Sequence, residues 1–124
     1  MLIAGIVGFF YNASFDAGNS IEADEVFGIL AVNGWHNLVH IGLGGLGLLM
    51  ANTAAREYAL WIGVLYIGIA FLGFVDFASG DLDDTILKLI PVNTEDNFLH
   101  LILGVTGIGA ALATPRGGIP APAT

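Results

Sequence analysis

Four apolar blocks alternate with polar and acidic segments along this chain of 124 residues. The blocks occupy residues 1–11, 34–51, 58–75 and 97–113, and the last three contain 17 or 18 residues each. That length is close to the roughly 20 residues that a helix needs to cross the hydrocarbon core of a bilayer. The first block would form only about 16 Å of helix, too little to span a bilayer alone. The pattern predicts an all-α integral membrane protein, a four-helix bundle whose first span is incomplete.

The overall composition favours the same class of protein. Hydrophobic residues make up 56% of the chain, and its mean hydropathy of +0.81 is well above that of an ordinary soluble domain. Three basic residues stand against eleven acidic ones, for a net charge of -8. A basic surface for nucleic acid is therefore excluded. Disulfides and thiolate metal sites are excluded too, because the chain contains no cysteine.

A polar phrase occurs twice in this apolar chain, as VNGWHNLVH at 32–40 and VNTEDNFLH at 92–100. A shift of 60 residues superposes both phrases and the glycines that follow them, and Gly8-Phe9 aligns with Gly73-Phe74. The sequence thus predicts two helical-hairpin repeats, 1–51 and 55–113, in a single transmembrane domain of residues 1–113. Each repeat has two spans, so the repeats are expected to be parallel. Residues 114–124 hold three prolines and two glycines and are predicted to form a disordered tail.

The two repeats differ in the length of their first helix. Eighteen residues separate Ala55 from Gly73 in the second repeat, whereas only seven precede Gly8 in the first. Two explanations stay open at this point. One is that about eleven residues are missing before the first helix, by comparison with the second repeat. The other is that the first helix is a real half-helix that a partner protein covers.

The few basic residues suggest an orientation in the membrane. Arg56 and Arg116 fall on one side of the predicted spans, and Lys88 falls on the other with ten of the eleven acids. Basic residues tend to remain in the cytoplasm. We therefore expect a multi-pass protein of the plasma membrane, with both termini cytoplasmic and the acidic loops extracytoplasmic.

The doubled phrase predicts a polar seam along the second and fourth helices. Steps of four and three place its residues on one helical stripe, and the seam comprises Asn33, Asn37, His40, Gly44 and Gly47, with Asn93, Asn97, His100, Gly104 and Gly107 in the second repeat. The asparagine that precedes each helix is the expected N-cap. Glycines allow membrane helices to approach closely. We therefore expect the second and fourth helices to meet, glycines facing glycines.

The histidines of this seam allow two interpretations. In the first, Asn37 bonds His100 and Asn97 bonds His40, which locks the repeats together. In the second, His40 and His100 bind a cofactor, either a tetrapyrrole such as haem or chlorophyll, or a metal ion to which His36 adds a third nitrogen. The second repeat has Asp96 at the position of His36, which breaks strict two-fold symmetry.

Three long segments carry a resemblance to a known family. The segments FGILAVNGWHNLVHIGLGGLG, AREYALWIGVLYIGIAFLGF and LIPVNTEDNFLHLILGVTG resemble a family of small four-helix membrane proteins from bacteria and archaea. That family is catalogued only as a domain of unknown function. The resemblance extends from Gly5 to Ala113 and departs at the start, where the family has a full first helix. It implies the fold and supplies no activity, cofactor or catalytic residue.

These observations lead to three functional expectations. The sequence shows no Ser–His–Asp arrangement and no phosphate-binding loop, so we do not expect an enzyme. The first expectation is an accessory subunit that contacts the lipid bilayer and packs beside other membrane protein subunits. The alternative is tetrapyrrole or metal binding through His40 and His100, and the third is a small transporter or proton path through the same polar cluster.

Overall fold

The computed structural model describes residues 1–79 and 85–115, and it is mostly helical. Its helices are α1 (Leu2–Gly8), α2 (Gly34–Met50), α3 (Ala55–Ser79) and α4 (Thr94–Ala113), with one 3₁₀ turn at Gly18–Ser20. Four short strands are β1 (Asp24–Val26), β2 (Leu30–Val32), β3 (Thr85–Ile86) and β4 (Ile90–Pro91). The tail beyond residue 115 and the aspartates at 81, 83 and 84 lie outside the described residues.

Two small antiparallel sheets correct the expectation of an all-α protein. Strand β1 pairs with β2, and β3 pairs with β4, so each hairpin immediately precedes a long helix. The first hairpin turns through Phe27 and Gly28 and the second through Leu87 and Lys88, all with positive φ. Only glycine adopts that conformation without cost. Strands of two or three residues are too short to show an alternating pattern, which is why the apolar sequence concealed them.

The helices pack most extensively within each half of the chain. Helix α1 lies along α2, and α3 lies along α4. Gly5 of α1 leaves room for the backbone of Asn37 in α2, and Gly63 of α3 leaves room for Gly104 in α4. Because neither position has a Cβ, the paired backbones can come close together.

Two helices are long and apolar enough to cross a membrane, judged by length and composition. They are the part of α3 from Ala55 to Val75, with 21 residues, and α4, with 20 residues. Helix α2 has 17 residues and α1 has seven, or about 26 Å and 10 Å of helix.

Polar side chains make up an unusually large share of the interior of the described chain, and many large apolar side chains are exposed. Six polar residues are at most 4% exposed: Asn33, His36, Asn37, Asp96, Asn97 and His100. Large apolar side chains such as Trp61, Leu49 and Leu112 are 71–80% exposed on the helices. The described part of the chain therefore encloses a polar cluster, with apolar side chains outside.

Candidate functional site

The polar cluster begins with the two asparagines that cap α2 and α4. The side-chain oxygen of Asn33 accepts a hydrogen bond from the backbone N–H of His36, and that of Asn93 accepts one from Asp96, each at 2.9 Å. The Asp96 carboxylate in turn accepts the Asn93 backbone N–H, which completes a capping box. The predicted helix caps are confirmed.

Each capping asparagine also contacts the hairpin of the other half. The Asn33 amide donates to the Leu89 carbonyl at 2.8 Å, and the Asn93 amide donates to the Ile29 carbonyl at 2.6 Å. These two hydrogen bonds are reciprocal, and they join the halves at the ends of α2 and α4.

The next asparagines contact the first helix of their own half. The Asn37 amide lies against Gly8 and donates to the Asn12 carbonyl at 2.8 Å. Asn97 lies against Gly73 in the same way. The predicted bond from Asn37 to His100 is therefore wrong, because the Asn37 amide donates instead to a backbone carbonyl of its own half, that of Asn12.

The predicted contact between the glycines of α2 and α4 is also wrong. On α4, Gly104 and Gly107 both lie against Gly63 of α3. Each pair of helices that are consecutive within a half, and joined by a hairpin segment, packs together. These glycines therefore allow close approach between helices of the same half and not between α2 and α4.

The glycines of α2 have two different neighbours. Gly44 lies against the backbone of Leu2, where α1 begins, and Gly47 lies against the ring of Tyr58 in α3. Beside them runs an open groove of about 500 Å³, lined by Met1, Leu2, Ile3, Gly44, Gly47, Leu48 and Tyr58. The three atoms nearest to Gly47 all belong to the Tyr58 side chain.

All three histidines of the chain come together at the centre of the cluster. His36 and His40 lie one turn apart on α2, and His100 approaches from α4. The ring centroids of His36 and His40 are 4.8 Å apart. They lie 6.1 and 6.3 Å, respectively, from the ring centroid of His100. One ring nitrogen from each residue lies within 4.8 Å of the other two.

A chain of hydrogen bonds fixes the orientation of two of these rings. His36 Nδ1 lies 2.8 Å from the Ala31 carbonyl, which only accepts, so this nitrogen carries the proton. His36 Nε2 then accepts from His40 Nε2 at 3.0 Å. The backbone N–H of the same residue, Ala31, donates to the Asp96 carboxylate at 3.0 Å. The backbone of Ala31 thus lies between His36 and Asp96, the residue at the matching position of the second phrase.

Several polar atoms of the cluster have no hydrogen-bond partner among the described residues. They are Nδ1 of His40, Nδ1 of His100 and Oδ1 of Asn97. An unsatisfied buried polar atom is costly. The cluster is therefore under-satisfied by protein groups alone, and two of its unsatisfied atoms are imidazole nitrogens.

Tyr66 is a member of the cluster that the sequence interpretation did not identify. Its ring is 3% exposed and stacks on His100, with centroids 5.0 Å apart, while its hydroxyl donates to the Met1 sulfur. A tyrosine in the middle of an otherwise apolar span was the signal, since intramembrane polar groups need partners.

Two cavities adjoin the histidines on opposite sides. One, of about 160 Å³, lies between α2 and α3, and its lining includes Tyr66 and all three histidines. The other, of about 320 Å³, lies between α1 and α4, and its lining includes Asp96 and all three histidines. A macrocycle between His40 and His100 would have to displace His36, whose Nε2 lies 3.0 Å from that of His40. The arrangement suits a single ion better than a tetrapyrrole.

Comparison with known proteins gives one match. Residues 1–113 match a family described as a domain of unknown function (DUF4383). No curated protein and no solved structure matches the chain. The predicted resemblance to a family of unknown function is thereby confirmed over residues 1–113.

Proposed function

The chain belongs to the family of the domain of unknown function DUF4383, and we propose that it is a non-enzymatic accessory subunit of a larger membrane complex. In this proposal it is a multi-pass protein of the plasma membrane, built as a bundle of two parallel helical-hairpin repeats. The single observation that carries the proposal is the open groove on α2.

The membrane location is supported by the exposed surface of the helices. Trp61 is 71% exposed on α3, and Leu49 and Leu112 are 80% and 72% exposed on α2 and α4. In water such a surface would favour aggregation. In lipid it costs nothing, and hydrogen bonds within the described chain hold two of the enclosed asparagines and Asp96.

The repeat is supported by contacts that recur at matching positions. The Gly8 contact with Asn37 recurs as Gly73 with Asn97. The capping asparagines bond reciprocally to the opposite hairpins. A two-fold axis along the membrane normal would produce this reciprocity.

The partner is expected at the groove because the second repeat shows what occupies the matching place. Gly107 of α4 is covered by the backbone at Ala59 and Gly63 of α3. At the matching position of α2, the atoms nearest to Gly47 belong to the Tyr58 side chain, and no helix backbone is among them. A partner helix with small residues at the contact would lie there as α3 lies on α4.

Site-specific crosslinking tests this proposal, because the chain has no native cysteine. Leu48→Cys places a thiol in the groove, and Leu112→Cys places one on α4 at a similar exposure, 67% against 72%. In native membranes, a thiol crosslinker should join the Leu48→Cys chain to another membrane protein and leave the Leu112→Cys chain alone. Equal capture by both variants, or a lone monomer after mild detergent extraction, would contradict the proposal.

A further inference from the structure

The geometry of the polar cluster points to a second property, and we propose that His36, His40 and His100 together bind one transition-metal ion. Imidazole nitrogen suits ions such as Zn²⁺ and Cu²⁺. The proposal concerns the isolated chain, so it stands or falls independently of the partner subunit proposed above.

The first argument is the spacing of the nitrogens. An ion bound tetrahedrally at about 2.0–2.1 Å holds its nitrogen ligands roughly 3.3 Å apart. His36 Nε2 and His40 Nε2 are 3.0 Å apart, and no pair in the three-nitrogen set exceeds 4.8 Å. Small rotations of the imidazole side chains would bring all three nitrogens to the roughly 3.3 Å spacing that one ion requires.

The second argument is the hydrogen bond behind His36. Histidines that bind metals usually donate their other N–H to a carbonyl or carboxylate, which fixes the ring and its tautomer. His36 Nδ1 does this to the Ala31 carbonyl, and the backbone N–H of Ala31 donates to the buried carboxylate of Asp96. The Nε2 lone pair of His36 is therefore already directed toward His40 and the centre of the cluster.

The third argument is the unsatisfied nitrogen of His40. In the present arrangement His40 Nε2 carries a proton toward His36, and its buried Nδ1 has no partner among the described residues. Metal binding through Nε2 requires the tautomer of His40 that carries its proton on Nδ1, and a solvent water molecule carries the proton from one nitrogen to the other. The weak pair of imidazoles is then replaced by two coordination bonds.

The fourth argument is the space around the cluster. Three protein ligands leave one position of a tetrahedral ion free. Both adjoining cavities, of about 160 and 320 Å³, are lined by all three histidines and otherwise mainly by apolar side chains. The fourth ligand is therefore a water molecule or another small molecule, and the apolar walls shield the ion from bulk solvent.

Metal analysis of the full chain tests the inference. The protein is purified in detergent with a tag that contains no histidine, stripped of metal, and titrated with Zn²⁺ and with Co²⁺ as an absorbing substitute. We expect one ion per chain and the visible absorption of a tetrahedral Co²⁺ site. Loss of an outer-shell partner already costs about 10–100-fold in metal affinity, so His40→Ala and His100→Ala should each weaken binding at least about 100-fold.

Asn97→Ala is the matched control. Asn97 lies on the same helix as His100, and both residues are 3% exposed, but the amide of Asn97 lies against Gly73 and supplies no nitrogen to the three-histidine set. This variant should keep its affinity. Unchanged affinity in both histidine variants would overturn the proposal by placing the ion elsewhere, for instance on the acidic loops.

A readout on the unmodified chain covers the case in which the histidine variants fail to fold. Pulsed electron paramagnetic resonance of the Cu²⁺-loaded protein reports the remote nitrogens of coordinated imidazoles. Three such imidazoles on one ion would support the proposal. Signals from oxygen ligands alone, or a folded chain that binds no ion, would overturn it.

Discussion

Gly73 of α3 lies directly against the amide of Asn97, and Gly8 of α1 lies in the same way against Asn37. Both asparagines are nearly fully buried, at 3% and 1% exposure. A methyl group at either glycine would overlap the amide, because the amide atoms already occupy the place that the methyl group would take. The missing side chain at each glycine therefore makes room for a polar group that the helix pair has to enclose.

Gly73→Ala is accordingly expected to destabilise the protein. Overpacking of this kind costs about 1–3 kcal/mol, and the bulky neighbour is a buried amide with little freedom to move. Gly68→Ala on the same helix is the control, since a Cβ there meets nothing within 4 Å; it should be neutral or stabilising by up to about 1 kcal/mol. Unfolding by SDS titration in mixed micelles, followed by circular dichroism, measures both. Equal unfolding midpoints would contradict the packing argument.

At the scale of elements, each β-hairpin acts as a connector between the halves. The turn of the second hairpin presents the Leu89 carbonyl to Asn33, and the turn of the first presents the Ile29 carbonyl to Asn93. Phe27, Leu87 and Lys88 adopt positive φ in these turns. Such strain persists only where the surrounding contacts determine the conformation. The reciprocal hydrogen bonds to the caps supply contacts of that kind.

Substitutions at Asn33 separate its two roles. Asn33→Ser keeps an oxygen for the His36 N–H but removes the donor to the Leu89 carbonyl, and should cost about 0.5–1.5 kcal/mol. Asn33→Ala also removes the cap and should cost about 1 kcal/mol more. The same SDS titration measures both, with Asn52→Ser in the exposed loop after α2 as the control. A serine variant as stable as the parent would show that the bond between the halves contributes nothing.

The elements differed in how far the sequence could specify them. Long apolar blocks indicated α2, α3 and α4, because their length and uniformity exceed what other elements need. The caps at Asn33 and Asn93 were readable from local chemistry. The hairpins were not, since two paired strands of two or three residues carry no periodic signal. The partners of Gly44 and Gly104 depend on which helices are neighbours, and a repeated stripe is equally compatible with contacts within and between the halves.

At the scale of the whole molecule, most of the hydrogen bonds between the described parts of the two halves lie at the hairpin end. Tyr58 and Tyr66 of α3 add two more, to acceptors in the first half. Two cavities adjoin the histidines, between α1 and α4 and between α2 and α3. The cluster of His36, His40 and His100 is therefore supported from the hairpin side and bordered by open space on its flanks. Such a site is reached along the seam between the repeats.

The whole-molecule orientation makes a last prediction, which rests on charge. Arg56 lies in the first turn of α3, next to the short connection from α2, whereas Ala23 lies in the acidic segment before β1. If basic residues stay in the cytoplasm, a thiol introduced by Ala23→Cys should react with a membrane-impermeant maleimide on intact cells. A thiol introduced by Thr53→Cys should react only after lysis. Both positions are exposed, and the cysteine-free parent provides the blank. Labelling of both thiols after solubilisation controls for reactivity. The reverse pattern would invert the topology, and labelling of both on intact cells would contradict a span between them.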